Sequence, residues 1–196
     1  MGIYLLDVLG GGIAALPLTL ILIFVFDRER AKRRWHWMVL LTLYLGAMYI
    51  TVGVPAIQYV AWDPTVNLIP FQDLSPSNLT GMVLNVVMFA PLGFLLPAFF
   101  DRYAGFWKTL CAGLLTSLTV ELIQLFTFRV TDIDDLIMNT LGTAAGFLLA
   151  KLILHRRLSV YRGKRDWLEL LGVNAIILLE TVFIRYPMME QIWKLL

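Results

Sequence analysis

The chain has 196 residues, is 59% hydrophobic and has a mean hydropathy of +0.77, which leaves no room for a soluble catalytic domain beside a membrane domain. Its formal net charge of +2 averages over two unlike faces, and its single cysteine, Cys111, excludes an intrachain disulfide and a thiolate metal cluster. Nucleic-acid binding is not expected, because the basic clusters hug helix ends and lack an aromatic reading surface.

Six apolar windows follow one another, at about 8–26, 37–55, 82–100, 109–128, 136–154 and 167–184. Each has about the length that crosses ~30 Å of hydrocarbon at ~1.5 Å per helical residue. A backbone in lipid must satisfy its own hydrogen bonds, and these Leu-rich runs suit helices, not the alternating strands of a barrel. The expected fold is all-α: a polytopic helical bundle of about six transmembrane helices, forming one membrane domain over 1–196. The first window is softened by Gly10, Gly11, Gly12 and Pro17. A cleaved signal peptide explains it less well, since no basic residue precedes the apolar run and no small-x-small site follows.

Arg28, Arg30, Lys32, Arg33 and Arg34 fill the first turnaround; His36 follows them. After the second window, the 56–80 segment contains DPTVNLIPFQDLSPSNLTG. Pro64, Pro70 and Pro76 break any continuous helix, yet Leu68, Ile69, Phe71 and Leu74 are apolar. The segment is expected to lie in the headgroup layer or to fold over the helix ends, as packed loop or as substrate-contacting lid. Ser77 or Asn78 is the expected N-cap of the third span.

The third window places Asn85 about one turn inside, with Pro91 and Gly93 near the middle, where a kink is expected. In the fourth, Ser117, Glu121 and Gln124 share one helical face, with Glu121 about 10 Å below the helix end. A carboxylate at that depth must face the bundle interior or a wet cavity, as a polar clamp between helices or as a ligand or proton site. The loop RVTDIDD then brings Arg129, Asp132, Asp134 and Asp135, followed by Asn139. Asp132, Asp135 and Asn139 are spaced for one helical face, while helix capping with an Arg129–Asp pair is the structural alternative. Gly142 and Gly146 form a GxxxG, a seam for close helix packing. The sixth window adds Asn174 and Glu180, and the final RYPMMEQIWKLL resembles an interfacial anchor.

Charge sets the expected orientation. Thirteen of the sixteen Lys and Arg residues fall on one side: the first turnaround, Arg102 and Lys108, and Lys151, Arg156, Arg157, Arg162, Lys164 and Arg165. Only Arg129, Arg185 and Lys194 fall on the other. The positive-inside rule makes the first side cytoplasmic and places both termini outside, with His155 inside and anionic lipid at the basic loops. Asn85, Glu121, Gln124 and Asn139 then share one outer layer, capped by Arg129 and the aspartates, which reads as a single outward-open polar cavity.

One family carries the same residues in the same order. The run Asn67, Leu68, Ile69, Pro70, Phe71, then Asn85 with Phe89, Pro91, Leu92 and Gly93, then Glu121 and Gln124, then Asp132 to Asp135 and Asn139 to Gly142, resembles the VanZ family over about 67–146. The resemblance implies a bacterial polytopic membrane protein of the cell envelope. The family's namesake is associated with low-level resistance to the glycopeptide teicoplanin, without change to the D-Ala-D-Ala ending of the wall precursor. No reaction comes with it.

Three function classes stay open. A binding or shielding protein would engage a lipoglycopeptide or lipid-linked wall precursor through Asn67, Asn85, Ser117, Gln124, Arg129, Asp134 and Asn139. A membrane enzyme would modify a lipid headgroup or lipid-linked glycan, with Glu121 as acid or base, Arg129 holding a phosphate and Asp132, Asp134 or Asp135 as second carboxylate. A transporter would titrate Glu121, but it should also show pseudo-symmetric halves or an inner polar path, and neither is present. No cofactor is expected beyond Mg²⁺ or Ca²⁺ at Asp132, Asp134 and Asp135, because oxygen-only ligands disfavour Zn²⁺. Oligomeric state is not legible.

Overall fold

The computed structural model describes residues 15–22, 24–25, 28–62, 64–127, 130–154, 166–184, 186–187 and 194. Arg129, His155, the basic stretch 156–165 and most of the final segment lie outside them. The chain divides into two units, one formed by 1–61 with 165–196 and the other by 62–164.

In the first unit, α1 (Arg28–Thr51) packs against α5 (Asp166–Leu179), and α5 runs on into a π-helical turn, Glu180–Ile184. The five basic residues expected in a turnaround therefore open α1 as its first turns. Residues 15–22 are helical and touch α1 where the Thr42 hydroxyl donates to that of Thr19. Tyr49 donates to Asn174 Oδ1, so that amide of the sixth window is engaged within its own unit. α1 stops at Gly53, whose positive φ of 84° lets Val54 N–H reach back to the Tyr49 carbonyl in a helix-ending Schellman arrangement.

The second unit contains α2 (Pro76–Phe99), α3 (Phe106–Gln124) and α4 (Ile133–Leu154), each long and apolar enough to cross a membrane. Two further apolar helices, Met38–Thr51 and Leu170–Ile184, are shorter. Three candidate spans among the described residues thus stand where six were expected; the helical, membrane-suited character holds. The all-α expectation also needs a small amendment. β1 (Val66–Asn67) and β2 (Thr131–Asp132) pair in parallel, joining the segment before α2 to the connection between α3 and α4.

The helix ends differ from the apolar windows for local reasons. α2 begins at Pro76, six residues before its window, with Ser75 as N-cap accepting from Asn78 N–H. Ser77 and Asn78, the expected caps, are already helical. Proline at the first helical position loses no bond, since that N–H has no helical partner. The helix then continues through both Pro91 and Pro97. α3 ends at Gln124, four residues short of its window, where the chain turns back toward β2.

α4 packs along α2 and also against α3. α2 turns Phe89, Leu92, Leu96 and Phe99 inward at helical spacing, while Val83, Leu84 and Val87 stay exposed. Glycines set the spacing between helices. A Cβ on Gly142 would land on the Val86 carbonyl, one on Gly146 on the Ala90 carbonyl, and one on Gly93 on the Thr143 carbonyl. Gly113 of α3 leaves room for the Thr143 side chain. The expected GxxxG seam is thus in place between α4 and α2. Rings of Phe99, Phe100 and Tyr103 stack edge-to-face at one end, with Phe106 on Phe147. The polar residues gather at the other.

Candidate functional site

Where α2 begins, α3 ends and α4 begins, acids and amides from every passing segment hydrogen-bond to one another. Asp132 is the hub. It precedes the first residue of α4, and its Oδ1 accepts from Asp134 N–H at 2.9 Å, the contact of an N-cap. Its Oδ2 accepts from Asn67 Nδ2 at 3.1 Å, and its own N–H donates to Glu121 Oε2 at 3.0 Å. One residue therefore ties β1, α3 and α4 together. Glu121 is buried, only 4% exposed, and its backbone carbonyl also accepts from the Thr131 hydroxyl. These two contacts fold the 125–131 connection onto the end of α3.

Two further bonds cross between helices. Asn85 of α2 donates to Asp135 of α4, and Asn139 of α4 donates to Ser117 of α3 at 2.9 Å. Ser117, Gln124, Asp134 and Asn139 are buried, whereas Asn67, Asn85, Asp132 and Asp135 are half-buried. Asn139 Oδ1 is buried and meets no donor among the described residues. The Gln124 side chain faces inward at the last residue of α3.

Asp134 has a different task. Both of its oxygens accept from Phe71 N–H, at 2.9 and 3.1 Å. Phe71 has a φ of 57°, the left-handed region that costs a residue with a Cβ roughly 1–2 kcal/mol. A carboxylate that receives its N–H offsets that strain. Asn67 Oδ1 accepts from Ile69 N–H, and Asp73 accepts from both the N–H and the hydroxyl of Ser75. The segment 67–75 is thus held at its start, middle and end.

Asn85, Glu121 and Asn139 each bond to a polar residue of a neighbouring element, and their depths differ from those expected. α2 starts earlier than its apolar window, so Asn85 lies nine residues inside it, about 14 Å at the helical rise, not one turn. α3 ends earlier, so Glu121 lies one turn from its end, not ~10 Å below it. The layer coincides because α2 extends beyond the first turn of α4. Asp132 precedes the helix and turns to Asn67, while Asp135 and Asn139, one turn apart on α4, reach Asn85 of α2 and Ser117 of α3. Asp132, Asp134 and Asp135 accept from different donors, and no group of three His, Cys, Asp or Glu among the described residues is arranged to hold a metal. Thr131 and the Phe71 backbone were not singled out from the sequence. Both act through contacts some sixty residues away in chain or across a turn, which no local pattern signals.

The motif residues that meet here fall within one stretch, and a family model, VanZ/LLP1, matches residues 41–154. The chain belongs to the VanZ/LLP1 family. Protein VanZ of Enterococcus faecium is 42% identical over 89 residues, which cover 45% of this chain and 52% of that protein. The chain thus spans about half the length of this curated relative. No solved structure matches it. The VanZ/LLP1 match includes α2, α3, α4 and both strands, so the whole hydrogen-bonded layer lies inside the family's domain. Family membership and three apolar helices together make this a membrane protein.

Proposed function

We propose that this chain is a multi-pass protein of the bacterial cytoplasmic membrane that contributes to teicoplanin-type glycopeptide resistance. It does so by binding or shielding an amphiphile, either a lipoglycopeptide or a lipid-linked wall precursor, at the extracytoplasmic ends of its helices. The observation that carries this reading is the polar layer built by Asn67, Asn85, Ser117, Glu121, Gln124, Asp132, Asp134, Asp135 and Asn139 within the VanZ/LLP1 domain. Such a layer beside lipid-facing apolar surface suits a ligand with a polar head and a greasy tail. Asn139 Oδ1 supports it further, because a buried acceptor without a donor can take a ligand hydroxyl or amine. Arg129 belongs to the proposal as a partner for an anionic group, on the strength of its place in the loop.

An enzyme of lipid headgroups or lipid-linked glycans is the alternative, with Glu121 as acid or base and Asp132 or Asp135 beside it. Glu121 Oε2 already holds Asp132 N–H, a positioning contact, and this favours binding over catalysis. The test is expression in a susceptible bacterial host. Teicoplanin susceptibility should fall with the full chain, while mass spectrometry of lipids and wall precursors shows no new species. Unchanged susceptibility would overturn the reading, and a new covalent species would replace it with the enzyme.

A further inference from the structure

The segment 68–74 is apolar, exposed and held at once. Leu68, Ile69, Phe71 and Leu74 are 72%, 60%, 45% and 58% exposed. A loop that shows four large apolar side chains to water would gain by collapsing onto its own protein. This one is held by hydrogen bonds to its backbone and to the Asn67 side chain. Asn67 is anchored to Asp132, Phe71 N–H to both oxygens of Asp134, and the Asp73 carbonyl accepts from the Asn78 side-chain amide at 2.6 Å. The backbone is shaped so that the apolar side chains point away from the unit.

What covers them follows from where the surface leads. Leu74 is followed by Leu79, Val83 and Val87, exposed at a spacing of four along α2. That stripe belongs to a helix long and apolar enough to cross a membrane, a surface suited to lipid. The apolar side chains of the loop lie next to it in sequence, with exposed Gln72, Asp73, Ser77 and Thr80 between them. Trp62, packed on Phe126, and Val66 are exposed on the same unit, the aromatic and aliphatic mix of a membrane interface. No Lys or Arg occurs in the chain between Arg34 and Arg102.

We propose that Leu68–Leu74 is a membrane-inserting knuckle, whose apolar side chains Leu68, Ile69, Phe71 and Leu74 enter the acyl–headgroup boundary of the leaflet at the N-terminal end of α2. Asp134 is its positioning residue, acting through Phe71 N–H. The polar layer next to it is thereby held at a set depth in that leaflet. This goes beyond the resistance reading and does not depend on it.

The test uses the full chain in phosphatidylcholine–phosphatidylglycerol vesicles. In a C111S background, I69C carries an environment-sensitive fluorophore. The expected result is blue-shifted emission, quenched by lipids with a nitroxide high on the acyl chain and little affected by iodide. Adding D134A should reverse both, while D134N, which keeps one acceptor oxygen for Phe71, retains most of the lipid quenching. A second probe at V83C should stay lipid-quenched in every variant, which separates loop release from unfolding. Water-like emission with full iodide access in the D134-intact protein would overturn the proposal. So would protection from both quenchers, the result for a loop covered by another protein surface, and unchanged depth in D134A would remove Asp134 from it. Susceptibility is measured separately, so a knuckle that inserts in a protein without a resistance phenotype would sink the functional reading alone.

Discussion

At the scale of single residues, the four carboxylates differ in what they hold. Asp132 and Asp134 spend their oxygens on backbone N–H groups and on Asn67, so their loss changes the shape of the connection. Glu121 and Asp135 sit between these contacts and the buried amides. E121Q and D135N both keep an oxygen where the present acceptor stands, so each should change stability by only about 1 kcal/mol. Both are expected to return teicoplanin susceptibility to that of cells lacking the protein, with membrane levels on an immunoblot unchanged. Retained resistance in both well-expressed variants would remove the pair from the site. Such residues were legible in the sequence because an acid or amide in an apolar run is costly, and that cost shows without a structure. Their partners were not, since each partner arrives from another segment.

At the scale of elements, the apolar windows located the spans of the second unit but misplaced their ends. Hydropathy registers lipid-compatible length, while the ends are decided by caps and returning chain: Ser75 with Pro76 at α2, and the Glu121–Asp132 contact at α3. The glycine seam was legible from GxxxG alone, yet its partners, the Val86 and Ala90 carbonyls, required the packed helices. Two glycines give opposite expectations. G146L places its side chain on the Ala90 carbonyl and should destabilise by about 3 kcal/mol, read as a lowered unfolding temperature in detergent. G81A, in the same seam's helix α2 but with nothing near its missing Cβ, should stabilise by ~1 kcal/mol through helix propensity. A tolerated G146L would mean that α2 and α4 do not approach as closely as described.

At the scale of the whole molecule, orientation rests on charge. If thirteen of sixteen basic residues mark the cytoplasm, the polar layer and the knuckle face outward. S77C in a C111S background should therefore react with a membrane-impermeant maleimide added to intact cells. Reaction only after permeabilisation would turn the layer to the cytoplasm and end the proposed encounter with an external antibiotic.

The amino-acid order by itself determined that this is a membrane protein of helices, which family it resembles, and which polar residues stand out, because each follows from transfer cost along the chain. Only the tertiary structure decided that Asn67 meets Asp132, that Phe71 is held by Asp134, and that Asp135 and Asn139 turn to different helices. Those contacts join positions 22 to 65 residues apart. Local periodicity carries no information at that range, and helix packing supplies it.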